Sequence, residues 1–334
     1  MLLNQFDANA YIESATSTIQ DGNQFFNQYL IHIQNPWDMI SVGLRLLHKC
    51  YDADPLAYAR IYKGGIYFYL GLASFRVQDY EVALFFIDNA VFSDIQAKID
   101  SINAPSHAMR LIQLDSSMPE HKDFIGDAET RIANVIRIYN SRSGSKNLNL
   151  LDLREKFLRP AMTAHQNWRT LATTFISFCL EWNYRDELFT ICPEPSTSES
   201  YFLHLFKGCL LFESLLKNNP KYPPKNIKSN LEQEIRRLQT QLGIDDKAKL
   251  KINGKTLDQI LTKIDVESDE SLPTAMQCTG WLRNTLGHNL GWDVSLTKNQ
   301  YQRLFMMIAS SCIHAVAKLY GVTEEDVKVV EGKS

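Results

Sequence analysis

An arginine, an asparagine and a histidine crowd into "RNTLGHN", residues 283 to 289: Arg283, Asn284 and His288. A neutral imidazole can deprotonate a 2′-hydroxyl or protonate a leaving 5′-oxygen, while a guanidinium clamps the phosphate as negative charge builds. Asn284 suits positioning a phosphate oxygen or orienting the histidine. The chemistry these types fit is phosphodiester cleavage in RNA. It needs no metal and no cofactor, and the sequence offers no paired aspartates or His/Cys set spaced to bind a metal. The plainer reading of the same residues is a capping arginine and a satisfied core histidine.

Positioning is the difficulty. On a helix from about 272, Arg283 and His288 point about 140° apart, whereas Asn284 and His288, four positions apart, share a face. One ideal helix therefore does not converge the arginine and histidine. A distortion near Gly287, the length of the arginine side chain, or a second copy of the helix would be needed.

The elements that must do this positioning read as helices almost throughout. Apolar residues recur at helical spacing near 10–33, 37–52, 56–76, 79–93, 121–141, 151–184, 198–218, 226–241, 256–265, 272–290 and 298–320. Strand signals are scarce, with only "KINGKT" at 251–256 suggesting a small turn. The expected fold class is all-α. A boundary is expected at "SRSGSKN", 141–147, which has no apolar face. It divides a helical domain at 1–142 from a helical bundle at 148–322, with a C-terminal tail at 323–334.

Bulk composition fits such a chain. Over 334 residues, 45% are hydrophobic and 22% charged, enough to build packed cores. A net charge of −3 gives no global pull toward nucleic acid or anionic membrane, so polyanion binding would need a local patch. The six cysteines are irregularly spaced and never form CxxC, which points to reduced, mostly buried thiols. "MLLNQFDANAYIES" at the start has no basic n-region, and no segment approaches the ~18 apolar residues of a membrane span. A soluble cytoplasmic protein without membrane contact is expected.

In the N-terminal half, "YFYLGLASFRVQDYEVALFFIDNAVFSD", 67–94, resembles one tetratricopeptide repeat. Tyr67, Leu70, Gly71, Ala83 and Ala90 fall on that family's aromatic, leucine, glycine and alanine positions, and "QDY" makes the turn. Ser74 and Ile95 depart from its aromatic and proline, and no clean second copy lies 34 residues either way. A helical hairpin is expected.

In the C-terminal half, "RNTLGHN" is similar to the Arg-x4-His motif of the HEPN superfamily. "YFLHLFKGCLLFESLLK" at 201–217 looks like that family's preceding core helix, and "YQRLFMMIASSCIHAVAKLYG" at 301–321 like its closing one. The resemblance covers roughly 150–321. It implies a helical bundle that pairs as a homodimer and joins two motif copies in one composite, metal-independent endoribonuclease site, with Arg283 and His288 catalytic and Asn284 auxiliary. A symmetric pair would supply the second helix. Leu290 stands where one subgroup of HEPN toxins has tyrosine, and the helical N-terminal half does not look like the Rossmann-like sensor of CRISPR-associated members, which argues against a cyclic oligoadenylate activator.

Secondary signals leave alternatives open. Residues 217–255 hold ten Lys/Arg against four Asp/Glu. Lys221, Lys225, Lys228, Arg236 and Arg237 either steer an RNA backbone or decorate a solvated face. Trp281 and Trp292 either stack an unpaired base or pack in the bundle or dimer seam. His204 and His314 read as core histidines. Glu213 either holds the motif arginine in place or forms an ordinary buried ion pair. The expected function is single-stranded RNA cleavage in phage defence or stress-induced growth arrest, with a regulatory protein partner at the N-terminal domain. The alternative is a non-catalytic scaffold that dimerises through the C-terminal bundle and binds a protein through the N-terminal one.

Overall fold

The computed structural model describes residues 6–17, 28–30, 32–100, 103–117, 122–143, 148–163, 166–193, 197–224, 229–244, 255–266, 271–287 and 294–320. Among these the chain is all-α, with no strand. It divides into two compact units, Met1–Asp115 and Ser116–Ser334.

The first unit holds α1 (Ala8–Ser17), α2 (Pro36–Ala53), α3 (Pro55–Arg60), α4 (Gly64–Arg76), α5 (Tyr80–Gln96) and α6 (His107–Ile112). Local chemistry sets the breaks. Asn35 caps α2, its side chain accepting from the Trp37 amide at 2.9 Å, and Pro36 opens the first turn. Asp54 ends α2 and caps α3, accepting from Leu56 and Ala57, with Pro55 at the start. The run expected as one helix over 56–76 is thus two, α3 and α4, because the chain extends at Ile61. Helices α4 and α5 form the expected hairpin, turning at Gln78 (φ 62°) and Asp79, which caps Val82. Phe75 meets Tyr80 near the turn and Tyr67 meets Phe86 farther away, so the pair is antiparallel. Gly71 allows the close approach: a Cβ there would stand 2.6 Å from Ile87 Cδ1. Leu70, Ala83 and Ala90 are buried between the helices and their neighbours.

The second unit holds α7 (Lys122–Ser143), α8 (Leu150–Leu153), a π-turn (Arg154–Leu158), α9 (Pro160–Thr163), α10 (Gln166–Ile191), α11 (Glu199–Lys217), α12 (Leu231–Arg237), α13 (Leu257–Val266), α14 (Leu272–Leu286) and α15 (Lys298–Leu319). Its centre is α15, opened by a Thr297–Gln300 capping box and buried along nearly its whole length. Helices α7, α10, α11 and α14 pack against it. The helix expected over 151–184 begins instead as short pieces around the π-turn and Pro160.

The expected boundary at 141–147 gives way to one after Asp115. Helix α7 belongs to the second unit because it packs on α10 and α15, and the Tyr139 hydroxyl lies 2.9 Å from His314 Nδ1. The six cysteines are free thiols, with all but Cys192 buried. No described helix is long and apolar enough to cross a membrane.

Candidate functional site

The described part of the motif, Arg283 to Gly287, lies where α14 ends against α11. Ser271 precedes α14 and a proline occupies its first turn. Its last turn carries Arg283 and Asn284, and Gly287 closes it, donating to the Arg283 carbonyl at 3.3 Å. Phe206 of α11 packs close to Gly287, where a Cβ would meet its ring at 3.5 Å. This places the helix end on α11.

Glu213, one turn short of the end of α11, is buried and joins two cations. Its Oε2 accepts from Arg283 Nε at 2.6 Å and its Oε1 from Lys217 Nζ at 2.7 Å. The expected pairing of Glu213 with the motif arginine is therefore present. A carboxylate buried this far needs such partners, since an unpaired one would bear the whole desolvation cost. The guanidinium side chain keeps 32% exposure, and because its Nε is engaged, its plane is fixed by α11 rather than left to rotamer freedom. Asn284 is half-buried beside it. His288 follows Gly287 and lies outside the described residues. Lys217 was not singled out in the sequence, although its i+4 spacing from Glu213 is a legible signal.

The auxiliary residues divide. Trp281 is buried, 5% exposed, with Lys255 and Lys263 ammonium groups 6.0 and 5.6 Å from its ring centre. Of its two readings the structure takes packing: the ring is covered by the bundle and capped by cations. Arg236 pairs with Glu232 one turn back. Arg237 spans Glu234 Oε2, at 2.6 and 2.9 Å, and donates to the Tyr222 carbonyl at 2.8 Å. These two arginines are thus neutralised along α12, and Arg237 ties α12 to the segment after α11. Lys221 is half-buried, while Lys225, Lys228 and Trp292 lie outside the described residues.

His204 and His314 are core histidines, as expected. His204 is held between the Tyr301 hydroxyl at 2.9 Å and the Phe178 carbonyl at 3.0 Å, with Phe178 stacked on its ring. Burial pushes its pKa well down, and the positive charge of Arg185 adds to this. His314 sits between Tyr139 and the Leu242 carbonyl, and burial pushes it down to about 4. Both stay neutral and hold helices together rather than exchange protons.

Comparison with protein-family models, with curated proteins and with solved structures returns no match for this chain.

Proposed function

We propose that the second unit is a HEPN-type endoribonuclease that cleaves single-stranded RNA without a metal, at a composite site formed by two copies of the chain. In this reaction His288 takes the 2′-hydroxyl proton, the 2′-oxygen attacks phosphorus, and the bond to the 5′-oxygen breaks as that oxygen gains a proton. The products are a 2′,3′-cyclic phosphate and a 5′-hydroxyl. Arg283 stabilises charge on the phosphate and Asn284 positions one of its oxygens.

The observation that carries the reading is the Arg283–Glu213 contact. It fixes a partly exposed guanidinium at the end of the helix from which His288 follows, which is what electrostatic catalysis requires of a phosphate clamp. The resemblance of "RNTLGHN" and its two flanking helices to the HEPN family supports the same conclusion, and a role in phage defence or growth arrest follows by analogy, with the first unit as regulator or partner-binding surface. A second reading rests on the same contact. Arg283 and Glu213 also form an ordinary interhelix ion pair, as a non-catalytic dimerising scaffold would contain.

The deciding experiment incubates the purified chain with labelled single-stranded RNA in EDTA, beside Arg283→Ala and His288→Ala. The endoribonuclease yields cyclic-phosphate ends, and both variants abolish them. If wild type leaves every RNA intact, or if either variant cuts at the wild-type rate, the scaffold reading replaces it.

A further inference from the structure

The first unit contains a cleft of about 830 Å³ that the C-terminal chemistry leaves unused. Its floor is the extended link between α3 and α4. Tyr62 there is anchored by donating to buried Asp94 at 2.6 Å, and the Ser106 hydroxyl donates to the other carboxylate oxygen. Beside it, the Lys63 ammonium donates to the carbonyls of Tyr58 and Ile61 and lies 4.5 Å from the centre of the Tyr58 ring. Two carbonyls account for two of its three protons. Burial lowers the Lys63 pKa, yet among the described residues no carboxylate lies within ion-pair distance of Lys63 or Arg60. A half-buried cation without a counter-ion is an electrostatic cost that an anion would relieve.

The walls are aromatic. Tyr51 and Tyr58 stand edge to face at 5.7 Å on the α2–α3 side, and Phe92 faces from α5, with Tyr51 50% and Phe92 46% exposed. Large rings exposed at the mouth of a cleft provide flat apolar surface for another ring. The lining includes Arg60, Lys63 and neutral polar groups from Asn89, Ser93 and Gln96, but among the described residues no acid. We infer that this cleft is a binding site for a small planar aromatic ligand that carries an anionic group, phosphate or carboxylate. The ring stacks against Tyr51 and Phe92 while the anion faces Lys63 and Arg60. Volume agrees, because ligand sites of this kind usually span ~300–1,000 Å³.

Calorimetric titration of the full chain tests this with two charged aromatic probes, adenosine monophosphate and indole-3-acetate. Adenosine and indole provide the ring without the charge, and inorganic phosphate and acetate the charge without the ring. The expected result is that at least one charged probe binds about ten-fold or more tightly than both its neutral ring and its bare anion, since a charge-assisted contact is lost in one control and stacking in the other. Which charged probe binds tells a phosphate ligand from a carboxylate one. Arg60→Ala and Phe92→Ala, both at exposed positions, should each weaken binding about ten-fold with thermal stability retained. The inference is overturned if neither charged probe binds in the millimolar range, if neutral rings bind as well, or if both variants bind like wild type.

Discussion

Glu213 lies 70 residues from Arg283, so no spacing rule connects them, and sequence alone left it between holding the motif arginine in place and forming an ordinary buried ion pair. The fold makes the contact by crossing α11 on α14, and the proposed chemistry gives it the first role. Glu213→Gln should therefore reduce RNA cleavage through kcat more than KM, because the guanidinium would still be present but no longer fixed. It should also cost roughly 1–3 kcal/mol of stability by urea denaturation, discounted for the partial exposure of Arg283. An unchanged kcat would separate the ion pair from the chemistry. In the basic stretch, Arg236 and Arg237 pair with Glu232 and Glu234 one helical turn back, a spacing legible in the sequence, while Lys225 and Lys228 lie outside the described residues, so both readings of the stretch stand. A second prediction concerns pH. His314 has an ordinary pKa near 6.5 in the unfolded chain and about 4 in the folded one. Between these values the unfolded chain binds a proton that the folded chain refuses, so stability is complete above pH 6.5 and falls as the pH drops toward 4. The loss is on the order of 3 kcal/mol, and the downward shift of His204 adds to it. Urea midpoints measured at pH 7 and pH 5 should show this decline, and His314→Gln should make the slope shallower. A slope equal to wild type would sink the assignment.

Among the elements, the hairpin was legible because Gly71, Ala83 and Ala90 are small at the spacing that lets two helices touch, and the turn residues follow directly. Ser74 is where the pattern departs, and the structure shows the consequence. Its hydroxyl is fully buried and has no hydrogen-bond partner among the described residues. Ser74→Ala should therefore leave stability unchanged or raise it by up to about 1 kcal/mol, read as thermal midpoint. A clear loss would mean that the hydroxyl is satisfied. Gly208 on α11 has the opposite sensitivity. A Cβ there would overlap the Phe178 ring and stand 2.7 Å from Ile308 Cγ2, so Gly208→Ala should cost roughly 1–3 kcal/mol by spreading α10, α11 and α15. The boundaries were harder to read. "SRSGSKN" is the more polar loop, yet the division falls near "LDSSMPEHKD", because what decides it is where α7 buries its apolar face. Tyr139 and His314, 175 residues apart, could not reveal that contact in sequence. The break at Asp54-Pro55, by contrast, carries its own cap and proline and was readable.

For the whole molecule, the proposed endoribonuclease makes a claim about how many chains form one site. Helix α14 ends at Leu286, Gly287 follows in right-handed helical geometry, and Arg283 is turned toward Glu213 of the same chain. Since an ideal helix would aim Arg283 and a residue five positions later about 140° apart, a site that uses both needs a neighbouring motif to supply what one helix end lacks. A composite site makes activity a property of the dimer. Specific activity should then fall on dilution, with the rate approaching the square of total protein concentration once chains are mostly apart, and the same dilution should halve the mass seen by sedimentation. Subunit exchange offers an independent check that does not need the dissociation constant. Excess Arg283→Ala/His288→Ala protein, mixed with wild type and left to exchange, should suppress cleavage well below the activity of the wild type alone, because most wild-type chains would then face an inert motif. If each chain carries a complete site, the rate instead stays proportional to the amount of wild type at every dilution and every mixing ratio. That linear result would remove the dimer from the mechanism while leaving Arg283 and its anchor Glu213 to be judged by their own variants.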